Sequence, residues 1–471
     1  MAERVDRDWL KQQLAKVGVD GAVFFAVVAR AWQFVSGPIT LLLMTLYFSP
    51  EMRGYFYTFG TILALQVFFE LSLHIVLISV ASHEWAHLRL NDQGHVEGDA
   101  AAHARLMALG RTSLRWYGIA AILFIVCCGS GGAVFLAQES LPISQWLGPW
   151  IALVVLTGGL LCCQPLTSLL EGCDQLAIVN RYRLRQSLTG SLVVWGMILS
   201  GLGLWAAVGS SAVRLFWEVR LVAFRYRGFF RDLFRTTGQH LIDWKHEVWP
   251  MQWRLGLQGV ATWWAMQLLT PVMFQYHGDV VAGRMGMTWS ILSSLQAAAF
   301  AWVETRRPKF GQLIATRDFD DLDQLFFRSS AQSIVILVTG VLLFWGGLFG
   351  LNQLEFPLAV KIADALLPPL SAAVLCLGVI LFQIPNCLCV YVRAHKRDPF
   401  LVPSLILCGS VGGLVTWLGR THGPLGAAIA WATPILVFQL PVWTMIWYRV
   451  RREWHRPLLP MDGQKNCDTA G

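Results

Sequence analysis

The sequence predicts an all-α polytopic membrane protein, with about twelve transmembrane helices in two six-helix lobes around a central cavity. Three observations predict it. Of the 471 residues 55% are hydrophobic and 14% charged, with a mean hydropathy of +0.52, outside the balance of a soluble domain. Apolar runs of about 18 residues or more recur along the whole length, each able, at about 1.5 Å per residue, to cross ~30 Å of hydrocarbon. Lysine and arginine also gather on alternate loops.

In chain order the expected spans are 21–48, 55–82, 116–138, 147–170, 187–205, 208–224, 251–276, 280–303, 331–351, 364–392, 401–418 and 425–448. The sixth, AVGSSAVRLFWEVRLVAF, is weak by hydropathy because Arg214, Glu218 and Arg220 interrupt it. Charge distribution restores it. With both termini on one side, 29 of the 37 Lys and Arg fall on the seven segments of that side. Three, Arg53, Lys361 and Arg420, fall on the other, and five arginines lie inside spans. By the positive-inside rule the basic side is cytoplasmic. Without the sixth helix RRPKF would move outside.

The expected organisation is an amphipathic cytoplasmic N-terminus at 1–20, a six-helix lobe at 21–224, a cytoplasmic connector at 225–250, a second six-helix lobe at 251–448 and a basic cytoplasmic tail at 449–471. No cleavable signal peptide is visible in MAERVDRDWLKQQLAKVG. The halves echo each other: the first helix carries Arg30 and reaches SPEMRGYF, the seventh carries Arg254 and reaches HGDVVAGRM, with Gly54 and Gly283 equivalent. Repeated halves around a midplane site are a recurrent transporter plan.

The net charge of +8 is topological and does not point to nucleic acid, because the basic residues are scattered over seven segments. Nine of the ten cysteines sit in or beside apolar helices and read as packing residues. Gly278, Gly283 and Gly286 allow close helix contact, and Pro368 with Pro369 is expected to weaken the tenth helix. Trp263 and Trp264 offer aromatic surfaces for a sugar, with packing as the commoner role.

The residues that carry chemistry are the charges inside the membrane: Arg30, Arg214, Arg220, Arg254 and Arg284 against Glu70, Glu218 and Asp364. An arginine at mid-bilayer costs at least about 2.5–3.5 kcal/mol on insertion scales, so it faces protein or water. Its planar fork keeps its charge when buried and suits phosphate oxygens. A cavity with surplus arginine favours a diphosphate and repels a lipophilic cation. Arg30, nine residues into its run, is read as facing the cavity; for Arg254 the alternatives are the cavity and the cytoplasmic headgroups. Arg214 and Glu218, four apart, pair on one helix face, and Arg284 pairs locally with Asp279. Glu70 and His74, also four apart, form either a proton-responsive pair or an interhelical hydrogen bond.

HEWAH, His83–His87, matches the H-E-x-x-H pattern of zinc hydrolases. A turn at Asn91–Gly94 separates it from His95, Glu97, Asp99 and His103, which have no recognised zincin spacing, and it falls at a helix end. His83, Glu84 and Trp85 read as an interfacial collar. A lipid-linked glycosyltransferase would need a nucleotide-sugar domain or a large outside loop, and neither is visible. RDFDDLDQL, Arg317–Leu325, reads as an amphipathic cytoplasmic helix with Leu322, Leu325 and Phe326 on one side.

The stretches ARAWQFVSGPITLLLMTLYFSPEMRGYFYTFGTI, WPMQWRLGLQG, QYHGDVVAGRMGMTWSIL and AWVETRRPKFGQLIATRDFDDLDQLFFRSS resemble Wzx-type polysaccharide flippases of the multidrug, oligosaccharidyl-lipid and polysaccharide exporter superfamily. The resemblance implies two lobes around a V-shaped cavity in a bacterial cytoplasmic membrane. It implies alternating access that carries an undecaprenyl-diphosphate-linked oligosaccharide to the periplasmic leaflet, without a cofactor but with room for ion or proton coupling. Arg30 and Arg254 occupy places comparable to arginines used by related lipid-linked precursor flippases, and are the expected diphosphate contacts. Glu70, His74, Arg214, Arg220 and Arg284 are expected coupling or cavity residues. The expected partners are membrane lipids, a polysaccharide polymerase and glycosyltransferases. The alternatives are a cation-coupled multidrug antiporter of the same superfamily and, more remotely, a membrane metalloprotease.

Overall fold

In the computed structural model residues 21–91, 94–235, 243–395 and 399–454 are described. The expected amphipathic N-terminus at 1–20, residues 236–242 of the connector and the tail from 455 lie outside them. The described residues are helical apart from short connections and one hairpin.

The first span is α1, Gly21–Tyr47, carrying Pro38. Ser49 then caps the next helix: its Oγ accepts the Met52 amide at 3.3 Å, and Pro50 takes the first turn, where no amide is needed. That helix, α2, runs Pro50–Leu63 and is followed by α3, Gln66–Glu70, and α4, Leu73–Trp85. These form one span bent by 49°. Leu71 and Ser72 both adopt the left-handed conformation at the bend, with φ 49° and 53°.

Strands β1, Leu88–Leu90, and β2, Val96–Gly98, pair antiparallel with Leu88 opposite Gly98. Their turn falls at Asn91–Gly94 as expected, where Gly94 has φ +80° and donates to the Asn91 carbonyl at 3.0 Å. Asp99 then caps α5, Ala100–Leu136, by accepting the Ala102 amide at 2.8 Å. This helix starts four turns before the expected span because its basic first half extends beyond the apolar stretch.

The amino-terminal lobe is completed by α6 (Ile143–Gly172), α7 (Leu176–Leu199) and α8 (Trp205–Arg220), the last ending in a π turn, Leu221–Arg225. The sixth span is therefore present. A short amphipathic helix, α9 (Arg227–Arg235), follows.

The second lobe holds the broken span α10 (Trp249–Met266) and α11 (Leu269–His277), then α12 (Asp279–Glu304), a short α13 (Arg307–Thr316), α14 (Phe319–Leu351), α15 (Pro357–Asp364), α16 (Pro369–Ala394), α17 (Leu401–Pro434) and α18 (Leu440–Trp454). Three expectations change here. RDFDDLDQL is not a separate surface helix but leads into the ninth span as the start of α14, with Leu322 and Phe326 buried. The tenth span begins at Pro369, not at 364: Pro368 and Pro369 start α16 rather than weaken it, and Asp364 ends α15. The eleventh and twelfth spans meet in one helix bent at Gly423, φ 63° and ψ −147°, followed by a π turn, Ile435–Gln439.

By length and apolarity alone five helices can cross a membrane, six when the bent second span is included. Packing repeats at an interval of six spans: α1 lies on α7 as α10 lies on α17, α4 on α6 as α12 on α16, and α6 on α8 as α16 on α18. The lobes meet through α2 and α12, and through α10 against α3 and α4.

Candidate functional site

The contact between α2 and α12 joins the lobes at the end poor in Lys and Arg. A β-carbon at Gly54 would lie 2.0 Å from the Asp279 carbonyl oxygen, and one at Gly286 would lie 2.4 Å from Tyr57 Cβ. Only glycine permits so close an approach of backbones. Loops reinforce it: Ser140 Oγ donates to Asp279 Oδ2 at 2.6 Å, Gln275 Nε2 to Gln138 Oε1 at 2.6 Å, and Lys361 Nζ to the Leu46 carbonyl at 2.6 Å.

Directly behind this closure lies Arg53, 5% exposed, with Nε and Nη1 buried and without a hydrogen-bond partner. The charges nearest it are Arg284, Glu51 and Asp364, and none of them forms an ion pair with it among the described residues. A buried unpaired guanidinium costs several kcal/mol, so this arrangement asks for an anion.

One turn further along α2, Tyr57 lines a cavity of about 550 Å³ between the lobes. Its walls come from α1, α2, α12 and α15 and are mainly apolar, with Gln33, Thr40, Thr45, Ser290 and Ser294 as the polar members besides Tyr57.

A second cavity, of about 510 Å³, lies inside the amino-terminal lobe among α1, α4, α6, α7 and α8. It is polar, and its charges pair with one another. Arg214 Nε reaches Glu218 Oε1 at 3.3 Å, as the spacing predicts, and Arg183 pairs with Glu171. Glu70, 5% exposed, accepts from Gln164 Nε2 at 2.6 Å and lies 3.6 Å from His74 Nδ1. Gln33 lines both cavities.

The structure does not bring Arg30 and Arg254 together. Both are exposed, and neither lines either cavity. Arg30 stands one turn from Gln33 on α1. Arg254 lies over the Trp253 ring, 5.8 Å from its centroid, in the first turns of a helix entering from the basic end. Arg284 is not paired with Asp279: its Nε donates to the Asp364 carbonyl at 2.8 Å, while Asp279 is held by Ser140 and caps the Val280 amide. Arg220 is exposed beside Trp217. Hydropathy set Arg53 aside as a loop residue.

No family model and no curated protein sequence matches the chain. Solved structures do. A MATE family multidrug resistance transporter described as inward-facing superposes with a TM-score of 0.63 at 12% identity, over 91% of this chain and 99% of that one. The lipid II flippase MurJ, described as inward closed, gives 0.57 at 12% identity, over 92% and 90%. A transporter from Pyrococcus furiosus, assigned to the MOP superfamily, gives 0.53 at 12% identity, over 92% and 95%. The fold is that of the MOP superfamily transporters.

Within this MOP fold HEWAH serves as a brace. Glu84 Oε1 accepts from Arg105 Nε at 2.8 Å, and Arg105 Nη2 also reaches Glu247 Oε2 at 2.7 Å, tying α4, α5 and the segment before α10 together. His83 and His87 are exposed. Among the described residues no three His, Cys, Asp or Glu side chains are placed to hold a metal. Trp263 donates to the Thr61 carbonyl at 3.3 Å and meets Phe68 edge-on, so it packs the lobes of the MOP fold together; Trp264 lies against Gly412. Neither lines the two cavities.

Proposed function

We propose that the protein is a bacterial inner-membrane flippase, with both termini cytoplasmic. On this reading it moves an undecaprenyl-diphosphate-linked oligosaccharide to the periplasmic leaflet by alternating access, for surface or exopolysaccharide synthesis. The observation that carries this reading is the buried Arg53 guanidinium, its Nε and Nη1 unpartnered, one helical turn from Tyr57, which lines an apolar cavity between two lobes.

An amphiphile with an anionic head answers that chemistry. The diphosphate neutralises Arg53, with Arg284 beside it, and the isoprenoid chain lies along the apolar walls. Arg30 and Arg254, exposed toward the basic end, make the first contacts with the head group at the cytoplasmic headgroup level. With the basic end cytoplasmic, the Gly54–Asp279 contact is the periplasmic gate, closed here. The chain divides at 225–250 into the two rocking lobes. Glycosyltransferases supply the substrate and a polymerase consumes it.

The test is a proteoliposome assay with undecaprenyl-diphosphate-linked oligosaccharide, comparing wild type with Arg53→Ala, Arg30→Ala and Arg254→Ala. Arg53→Ala is expected to slow flipping at least tenfold, and the two entrance variants less. Undiminished flipping in Arg53→Ala would remove the site. Transport of a cationic dye in place of the lipid would move the protein to the antiporters.

A further inference from the structure

We infer that the polar chamber of the amino-terminal lobe is a saccharide subsite, holding the uncharged, hydroxyl-rich part of the substrate. This rests on the flippase reading and adds a second binding chamber to it.

The chamber needs an explanation of its own. Polar side chains within membrane-spanning helices are costly and turn toward protein or water, yet α1, α6, α7, α8 and the broken second span direct amides and hydroxyls into a shared space of about 510 Å³. That volume falls within the ~300–1,000 Å³ of pockets that enclose a small-molecule ligand.

Its charges argue against an ionic ligand. Glu171 is taken by Arg183, Glu218 by Arg214 and Glu70 by Gln164. A diphosphate would find its arginines already paired, and an organic cation would find its carboxylates occupied. Binding either one would compete with a pair whose carboxylate is largely buried and whose arginine is partly exposed.

What the chamber offers is neutral hydrogen bonding. Gln186 and Gln33 each carry donors and an acceptor, the Ser187 hydroxyl does both, and the Thr167 hydroxyl, which donates to the Gln164 carbonyl at 3.0 Å, still accepts. Sugar hydroxyls also donate and accept, so amides and hydroxyls in mixture match them. The ring of Tyr182 lines the same space, with Trp217 edge-on at 5.8 Å, giving an apolar surface for the C–H face of a pyranose.

Gln33 gives the connection. It lines both chambers, so the two spaces adjoin at this residue. The apolar cavity suits the polyprenyl chain and the polar chamber suits the glycan, and a substrate with both needs both.

The experiment measures binding by purified protein in nanodiscs of two probes: the polyprenyl-diphosphate-linked oligosaccharide extracted from source cells, and sugar-free undecaprenyl diphosphate. Gln186→Leu and Thr167→Val are expected to weaken the first at least tenfold and to change the second less than twofold. Arg53→Ala is expected to weaken both. Equal losses on both probes, or none on either, would overturn the subsite while leaving the flippase reading in place. If wild type binds neither probe, the flippase reading falls and the subsite with it. Gln186→Asn, which keeps the amide and shortens its reach, replaces the leucine variant if that does not fold.

Discussion

Gly54 and Gly283, which occupy equivalent places in the two halves of the sequence, touch each other where the lobes close. A β-carbon at Gly283 would lie 2.9 Å from the Gly54 amide nitrogen. The sequence echo around SPEMRGYF and HGDVVAGRM therefore marks the contact through which the halves meet. Both glycines are buried within helices, so their use here is space rather than backbone freedom.

Gly54→Ala tests this closure directly. The added methyl would meet the Asp279 carbonyl, which belongs to backbone and cannot rotate away. Overpacking of this kind costs about 1–3 kcal/mol, charged against the closed arrangement alone. Spin labels at Gln138 and Gln275, bonded at 2.6 Å in the native protein, are expected to show a longer mean separation in the variant. An unchanged distance distribution would show that the contact yields without opening.

Arg53 is predicted to be a residue where function and stability conflict. Arg53→Met keeps much of the volume and removes an unpaired buried charge, so the variant is expected to melt at a higher temperature by roughly 1 kcal/mol or more in unfolding free energy. It is also expected to lose the anionic lipid. A lower melting temperature would mean that the guanidinium has structural partners.

Glu139, in the loop between α5 and α6, makes the closure depend on pH. Burial, and then the neighbouring Asp279, raise its carboxyl above the ordinary glutamate value. A group whose pKa is raised in the closed state holds its proton more tightly there. Closure is therefore favoured below the ordinary value of ~4.3 and loses stability as pH rises through the raised one. The distance between labels at Gln138 and Gln275 is expected to lengthen across that window in wild type and to lose this dependence in Glu139→Gln. The same titration in both proteins would assign it to another group.

Glu84 is predicted to act through Arg105 rather than through zinc. Arg105 is 37% exposed, so solvent screening limits the pair to about 1 kcal/mol or less. Glu84→Ala and Arg105→Ala are each expected to lower stability slightly, with a double-mutant cycle showing them coupled, while His83→Ala has no effect. Stoichiometric zinc in protein purified without chelator, lost in His83→Ala, would restore the metalloprotease reading.

The spans could be read from the sequence because hydrocarbon imposes length and apolarity, and because basic residues sort the loops. Azimuth is not encoded that way. Arg30 and Arg254 lie inside apolar runs, but nothing in the composition tells which way each points, and both prove exposed. Arg53 was hidden by a boundary effect: a hydropathy window stops at the first charge and leaves it in a loop. The signal that could have found it is Ser49–Pro50–Glu51, a helix start that carries Arg53 into the first turn of α2. The Arg214–Glu218 pair followed from spacing alone, since an interval of four on a helix needs no tertiary knowledge. The Arg284 partner came from α15, which no local pattern on α12 could reveal.

The bend at Leu71 and Ser72 bears on the order of events. Left-handed φ in two consecutive residues other than glycine is unfavourable by about 1–2 kcal/mol each, and α10 is what holds them so. Gly256 and Gly259 receive Leu71 and Ser72, and Ser72 Oγ donates to the Leu255 carbonyl at 3.3 Å. The wedge belongs to the opposite lobe. On the alternating-access reading, withdrawal of α10 would remove the restraint on both torsions at once, and the second span would relax like a released spring while the helical rungs on either side stay intact.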